Sequence, residues 1–244
     1  MKTAVITGAS RGIGAKTALF LAKSNEYDSI AITCHTDTSS LDAVEKEILS
    51  CSGTKVIKGI FDIGDNDAVH SFINELTDNG HEIELLINNA ATSYTGLFTD
   101  MSYEEFKKSV DTNLSSLYST CHAVLPGMIH RKHGRIINIS SVWGLVGGSC
   151  EVAYSATKGA VNSFTMALAK ELAPSGISVN AIAFGFVDTA MNSNLSEEEK
   201  QSLFEEIPIG RAITADEAAE MILNLSHLPI SYTGDIIKYD GAWI

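Results

Sequence analysis

Three side chains in one short stretch have the types and the spacing needed for acid–base chemistry on a carbonyl group. An apolar run at residues 136–139 predicts a buried strand that ends near Ser141. A glycine-rich loop follows, and a helical pattern begins near Glu151. Tyr154 and Lys158 stand four residues apart, so on a helix they share one face. A hydroxyl, a phenol and an ammonium held together could protonate a carbonyl oxygen and stabilise the charge that develops on it.

A second Tyr-x-x-x-Lys match shows that this spacing alone is weak. Tyr103 and Lys107 have the same separation, but no strand-end serine precedes them at a useful distance. Ser102 and Glu105 instead have the spacing of a capping box, which opens a solvated helix. We therefore interpret Tyr103 as structural and Tyr154 as catalytic.

A phosphate-binding loop is predicted at the amino terminus. Residues 3–7 form a short apolar run that leads directly into a glycine-rich segment and then into a helical pattern. A strand, a glycine loop and a helix in this order let backbone N–H groups hold a pyrophosphate. The alternative is an ordinary turn before a helix. The candidate cofactor-binding residues of this loop are Gly8, Ser10, Arg11, Gly12, Ile13 and Gly14.

With Ser141, Tyr154 and Lys158 behind a Thr-Gly-x-x-x-Gly-x-Gly loop, the whole chain resembles the short-chain dehydrogenase/reductases. The resemblance implies one Rossmann domain over 1–244, with a doubly wound parallel sheet of about seven strands and helices on both faces. Its cofactor-binding half would span roughly 1–130, and its catalytic and substrate half roughly 131–244. It also implies an NAD(P)-dependent oxidoreductase that acts on a ketone.

The end of the second predicted strand favours NADP(H) over NAD(H). Folds that bind NAD usually place an acidic residue there to hold the ribose 2′-hydroxyl. Here Cys34 and His35 occupy that place, and the first carboxylate is Asp37. Arg11 could pair with a 2′-phosphate, as in NADP-dependent members of the family. The alternative is that Arg11 is simply a solvated loop residue.

The resemblance places the remaining cofactor contacts at the ends of later strands. Asp62 would bind the adenine amino group, assisted by the N–H of Ile63, although Asp62 could equally begin a turn. Asparagine at the end of the fourth strand would stiffen the floor of the site. The other implied contacts are Asn89, Ala90, Val187 and Thr189, together with Tyr154 and Lys158.

The same resemblance assigns four catalytic roles. Tyr154 would donate the proton, and Lys158 with the oxidised nicotinamide would lower its pKa from about 10. Ser141 would donate a hydrogen bond to the carbonyl oxygen. Asn113 would use a free amide in mid-helix to hold a water that links the lysine to solvent. The alternative for Asn113 is an ordinary helix-kink residue.

The nature of the ketone stays open between two reductase classes of the family. The overall pattern resembles 3-oxoacyl-acyl-carrier-protein reductases, whose acidic carrier would meet basic residues near the cleft. Arg131, Lys132 and Arg135 could serve there, although Ser175 replaces a basic residue often found. The sequence of residues 142–151, before the tyrosine, instead resembles reductases that act on the 5-aminopentanone modification of elongation factor P. In that case Glu151 could pair with the substrate ammonium, or it could simply favour the helix dipole.

Several aromatic residues complete the expected substrate site. Phe184 stands where the family usually has proline, so its ring could narrow the cleft, and residues 192–210 resemble a mobile lid. The candidate substrate residues are Ser141, Trp143, Glu151, Tyr154, Phe184 and Phe186. A protein of another class, a cofactor sensor without turnover, would be expected to lack part of the catalytic trio.

Composition excludes several other classes. The net charge of −13 argues against nucleic acid as a partner, because phosphate binding needs a basic surface. An apolar run of about 18 residues is missing, so we expect no membrane span. The four cysteines form no Cys-x-x-Cys pair, and we expect no metal site. A strand begins almost at Met1 and leaves no room for a signal peptide, so we expect a cytoplasmic protein.

A homo-oligomer, either a dimer or a tetramer, is expected from two helical segments. Apolar residues spread around the segments 117–125 and 164–168 more widely than packing on one sheet requires.

Overall fold

The chain folds around one parallel sheet, seen in a computed structural model that describes residues 1–192 and 196–244. Its strands are β1 Lys2–Ile6, β2 Ser29–Cys34, β3 Lys55–Ile60, β4 Glu82–Asn88, β5 Gly134–Ser141, β6 Ile177–Phe184 and β7 Ile236–Tyr239. They lie in the order β3-β2-β1-β4-β5-β6-β7, and every pair is parallel. The predicted doubly wound Rossmann sheet is confirmed.

Helices cover both faces because β2, β5 and β6 carry apolar residues on both sides. The helices are α1 Gly12–Ser24, α2 Thr38–Cys51, α3 Asn66–Asp78, α4 Tyr103–Val110, α5 Ser116–Arg131, α6 Trp143–Val146, α7 Val152–Leu172, α8 Glu197–Glu206 and α9 Ala215–His227. One core cluster joins α1, α2 and α9 to the sheet. The other cluster joins α3, α5 and α7 to its opposite face.

The strand order changes direction between β1 and β4, and this geometry opens a crevice at the carboxyl edge of the sheet. The glycine loop after β1 and the segment after β4 flank that crevice. β5 lies beside β4 in the sheet and ends at the same edge with Ser141. The phosphate loop and the catalytic serine, far apart in the chain, therefore belong to one edge.

Pro126 lies inside a helix and does not end it. A π-helical turn spans Asp111–Ser115, and α5 continues past Pro126 to Arg131. Buried Val124 and Met128 on either side of the proline anchor the helix to the core, so the loss of one N–H donor does not end it.

Part of the surface expected to form the oligomer contact lies inside the protomer, so that part of the prediction is wrong. Leu117, Cys121 and Val124 are buried within their own chain, because this side of α5 packs on the sheet. The large apolar side chains that remain exposed are Tyr118 and Ile129 on α5, 57% and 44% exposed, and Val152 and Met166 on α7, 47% and 41% exposed.

The expected lid lies after β6. A 3-10 turn covers Ala190–Asn192, and α8 lies within the expected lid. The lid prediction also included residues 193–195, which lie outside the described residues. Among the helices that the structure describes, none is long and apolar enough to cross a bilayer. In the same residues, no group of three or more His, Cys, Asp or Glu side chains could hold a metal ion.

Candidate active site

Polar contacts between β5 and α7 fix the catalytic side chains relative to one another. Ser140 donates from Oγ to Oδ1 of Asn162 at 2.6 Å, and Asn138 donates from Nδ2 to Oγ1 of Thr165 at 2.9 Å. All four residues are buried, so a shift of the helix along the strand would leave buried polar groups unpaired. This register brings the first turns of α7 beside Ser141.

The hydroxyl of Ser141 is placed to donate a hydrogen bond toward the phenol of Tyr154. Its Oγ accepts a hydrogen bond from the N–H of Trp143 at 3.2 Å, and the hydroxyl is also hydrogen-bonded to the phenol of Tyr154. The accepted bond from Trp143 leaves the serine proton free to be donated. The hydroxyl is therefore oriented as a donor toward the phenol and toward an oxygen placed beside it.

The phenol of Tyr154 is a weak acid in this environment. Burial and, to a smaller extent, the carboxylate of Glu151 raise its pKa to about 12, although the hydrogen bond from Ser141 opposes both effects. At neutral pH the phenol therefore keeps its proton, which is the form that can protonate a carbonyl oxygen.

The ammonium of Lys158 is hydrogen-bonded to the main chain rather than to the phenol of Tyr154. Its Nζ donates to the main-chain oxygen of Ile139 at 2.7 Å and lies 5.5 Å from the centre of the Tyr154 ring. Burial lowers the pKa of Lys158 to about 8. In the protein alone the pKa of Tyr154 is raised, because burial of the phenol is the largest effect on it. The lowering expected from Lys158 together with the oxidised nicotinamide stays a prediction.

The glycine loop is shaped for close approach of a ligand to the backbone. Gly8 has a φ of +64°, and a Cβ there would lie 2.8 Å from Cα of Ala90. A Cβ at Gly14 would lie 2.5 Å from Nδ2 of Asn89. Both positions therefore need glycine. The loop places its amides at the amino end of α1, where a pyrophosphate can bind.

Asparagine after β4 holds this loop from below, as predicted. Asn89 donates from Nδ2 to the carbonyl oxygens of Thr7 and Gly8, both at 2.9 Å. The N–H groups of Asn89 and Ala90 both donate to Oγ1 of Thr7 at 3.0 Å. The floor of the crevice is therefore stiff before any ligand binds.

The segment after β6 closes the crevice from the other side. Thr189 lies over the loop, since a Cβ at Gly12 would lie 3.3 Å from its Cγ2. Val187 is buried and forms a bridge with Ile213. Ser10 and Ile13, the remaining loop candidates, are partly exposed at the same edge. The cradle thus has glycines below, threonine above and the catalytic trio beside it, which fits a dinucleotide.

Comparison with known proteins agrees with this geometry. The family model described as short chain dehydrogenase matches residues 2–200. The chain belongs to the short-chain dehydrogenase family.

Relatives cover nearly the full chain. An "uncharacterized oxidoreductase YmfI" of Bacillus subtilis is 37% identical, over 99% of this chain and 98% of its own. The 3-oxoacyl-[acyl-carrier-protein] reductase FabG of Chlamydia muridarum is 35% identical, over 99% of this chain and 96% of its own. The reductase of the same name from Thermotoga maritima is 33% identical, over 100% of this chain and 98% of its own. The protein is therefore a dehydrogenase or reductase that uses a nicotinamide cofactor, and the alternative of a sensor without turnover is set aside.

In this dehydrogenase the second strand ends differently from the prediction. Cys34 is only 5% exposed and points into the core, so it is not the residue that would face a ribose. His35 is the first exposed side chain after β2, and Arg11 is exposed on the glycine loop. Asp37 caps α2 by accepting from the N–H of Ser40. Hydrogen bonds from Ser40 and Ser39 lower the pKa of its carboxyl, and Arg11 lowers it least.

The residues expected around adenine lie across from His35. The Nε2 of His35 is 3.9 Å from Oδ2 of Asp62. Asp62 accepts from the N–H of Gly64 at 2.9 Å, so it does form the turn that was the alternative to ligand binding. The N–H of Ile63 has no acceptor among the residues that the structure describes.

Asn113 is not the free amide that the sequence suggested. Its Oδ1 accepts from the N–H of Thr92, and its Nδ2 donates to the oxygen of Thr92 and to Oγ1 of Thr157. The side chain is 1% exposed and fully bonded, because it ties the loop after β4 to α7. Its contribution to the site is to position α7 rather than to hold a water with its amide.

The candidate substrate residues separate into two groups. Trp143, Glu151 and Phe186 are partly exposed around the cleft, and Phe186 packs against Phe204 of α8. Phe184 is 3% exposed and packs against Tyr239, so the expectation that its ring narrows the cleft is wrong. It lies in the last position of β6, where the side chain belongs to the core.

The basic residues expected near the cleft lie at the opposite edge of the sheet. Arg135 is six residues before Ser141 on β5, which corresponds to about 20 Å. Arg131 donates to the oxygen of Ile83 at 2.7 Å, so it stabilises the fold. The reason is topological: Arg131 and Lys132 precede β5 and Arg135 lies at its start, whereas Ser141 lies at its end.

Proposed function

We propose that this protein is an NADP(H)-dependent reductase that converts a ketone into a secondary alcohol. The observation that carries the proposal is the convergence of Ser141, Tyr154 and Lys158 beside the glycine loop. Such a trio has a proton donor, a hydrogen-bond donor and a buried cation at one point.

The mechanism follows from the positions of these groups. A bound nicotinamide supplies the hydride. Tyr154 transfers its phenolic proton to the carbonyl oxygen, and Ser141 donates a hydrogen bond to the same oxygen as negative charge develops there. Lys158, buried behind the phenol, stabilises the phenolate that remains. Asn113 holds α7 in place through Thr157, which keeps the phenol and the ammonium in register with Ser141.

Preference for NADP(H) rests on the exposed residues at the end of the crevice. Arg11 offers charge-assisted bonds to a 2′-phosphate, which are about twice as strong as neutral ones. No carboxylate directly follows β2, since His35 stands there. The capping role of Asp37 keeps its carboxylate on its own helix.

A 3-oxoacyl group is the first candidate substrate. The FabG relatives, about a third identical over nearly the full chain, are named for that activity. The position of the basic residues at the far edge gives no support for a carrier docked on this protomer's own basic surface.

A ketone with a positive charge, such as a 5-aminopentanone group, is the second candidate. Glu151 is half-buried and directly precedes α7. Its carboxylate accepts no hydrogen bond in the described part of the chain. Burial raises the pKa of this carboxyl. A half-buried carboxylate without a partner favours a cationic ligand.

One assay separates these candidates. NADPH oxidation is followed with acetoacetyl-acyl-carrier protein, with a pentanone that ends in a trimethylammonium group, and with its neutral isostere that ends in a tert-butyl group. A 3-oxoacyl reductase prefers the first. A cationic substrate predicts at least about tenfold preference for the ammonium ketone over its isostere, lost in Glu151→Gln. Absence of turnover with all three ketones would contradict the proposed reduction.

A further inference from the structure

The last five residues return from β7 to the active site as a folded tail. Asp240 is 5% exposed, and its two carboxylate oxygens accept from the N–H groups of Ala242 at 2.9 Å and Ile244 at 3.0 Å. Gly241 and Ala242 both have positive φ, near +68° and +66°, so the backbone turns tightly. The tail therefore has a defined course.

Close contacts on two sides hold this tail, residues 240–244, in place. A Cβ at Gly185 would lie 2.8 Å from Cα of Asp240. A Cβ at Gly241 would lie 2.6 Å from Cγ1 of Ile209, just after α8. The tail is thus packed between the end of β6 and the segment that follows the expected lid helix.

The tail ends with an aromatic pair beside the catalytic serine. The rings of Trp243 and Trp143 are 5.0 Å apart between centres and meet edge to face at 61°. Trp143 opens α6 and donates its main-chain N–H to Oγ of Ser141. Gly148 lies under the Trp143 ring and donates to Oγ of Ser155, next to Tyr154. The pair is therefore fixed to the first turn of α7.

We propose that Trp243 is a specificity-determining residue that forms, with Trp143, one wall of the substrate cleft. The two rings, in edge-to-face contact, join α6 to the tail, and the wall they form limits the size of the group attached to the reacting carbonyl. Ketones with a compact, unbranched substituent fit, and ketones with a bulky one are rejected. This inference rests on the proposed ketone reduction.

The first test compares substrates of increasing size. We would measure kcat/KM with saturating NADPH for 3-oxoesters that differ only in the group on the ketone carbon: methyl, propyl or phenyl. Trp243→Ala should raise the phenyl-to-methyl ratio at least about tenfold, the scale on which a pocket discriminates a few carbon atoms. Trp243→Phe should give an intermediate ratio. Tyr103→Ala, which removes a ring that is 72% exposed on α4, is the matched control and should leave the ratio unchanged.

A parallel change for all three esters would overturn the inference, because loss of a merely structural ring affects every substrate alike. Failure of the wild type to reduce any of the esters would count against the proposed function instead.

A binding measurement tests the wall without turnover. The chain has two tryptophans, Trp143 and Trp243, so Trp243→Ala leaves Trp143 as the fluorophore at this site. In the presence of NADP+, quenching by the phenyl ester should give a Kd at least about tenfold lower in Trp243→Ala than in the wild type. Equal Kd values would overturn the inference. Unchanged far-UV circular dichroism and melting of Trp243→Phe confirm that the fold is retained.

Discussion

Lys158 donates from Nζ to the main-chain oxygen of Ile139 at 2.7 Å, inside the core behind the active site. The residue is 3% exposed, and burial lowers the pKa of its ammonium from 10.5 to about 8. The charge that supports the phenolate of Tyr154 is therefore lost within the range of an ordinary pH titration.

The first prediction is a pH profile. In the enzyme without ligand, the pKa of Tyr154 is about 12, so the phenol stays protonated and Lys158 is the group that titrates. We expect kcat/KM for ketone reduction to be level below pH 8 and to fall above it, as the ammonium loses its proton. Lys158→Arg, which keeps its charge, should move the fall to higher pH in whatever activity remains. A level profile up to pH 10 would contradict this role of the charge.

Stability provides a second test of the same buried charge. The folded pKa of Lys158 is lower than its unfolded value, so between about 8 and 10.5 the unfolded chain binds more protons. The free energy of unfolding should therefore rise with pH across this window, by at most about 3 kcal/mol. Denaturant unfolding of Lys158→Met should lack this rise. An identical pH dependence in the two proteins would mean that the ammonium is not desolvated.

The proton donor is the third prediction. Tyr154→Phe removes the hydroxyl but keeps the ring, so turnover should fall by about 10²-fold or more while the Kd for NADPH changes little. Tyr103→Phe is the matched control, since Tyr103 begins α4 behind its capping box and lies exposed. Equal losses in the two variants would show that the wrong tyrosine has been chosen.

The fourth prediction concerns cofactor choice. NADPH should be preferred over NADH by about 10²-fold in kcat/KM, where each 1.4 kcal/mol is tenfold. Arg11→Ala should remove most of that preference. His35→Asp should shift it toward NADH, because it places a carboxylate on the first exposed position after β2.

Lys170→Ala, an exposed basic residue on α7, serves as the control for the loss of positive charge. The buried position of Cys34 makes Cys34→Asp unsuitable for this test, because a carboxylate there would enter the core. A wild type that prefers NADH would refute the assignment of Arg11.

Self-association is the fifth prediction, with a dimer or a tetramer expected by light scattering at micromolar concentration. Exposed Tyr118 stacks on His122 of α5, with 5.2 Å between ring centres, and Met166 lies exposed on α7. Tyr118→Lys should weaken assembly, because it places a charge among apolar contacts. Lys132→Ala, on the exposed turn after α5, is the control. A wild-type monomer would contradict the prediction.

Local signals in the sequence were sufficient for the architecture and for the centre of the site. A strand that leads into a glycine loop at residue 8, and a serine before a Tyr-x-x-x-Lys helix, depend on contacts within a few residues. The capping box at Ser102 and Glu105 is formed as predicted. Each of these features is local, and a single sequence records it directly.

Directions of side chains and long-range neighbours were decided only by the tertiary structure. Phe184 and Cys34 are the last residues of their strands. At such a position, a change of one residue in the length of the strand decides whether the side chain points into the core or into the cleft. Arg135 precedes Ser141 by only six residues, yet the strand between them carries it to the opposite edge of the sheet. Trp243 meets Trp143 across a hundred residues of chain, and no periodicity in the sequence encodes that contact. The sequence determines which residues can do the chemistry, while the packing of distant segments determines which of them meet, because burial and reach are properties of the folded chain.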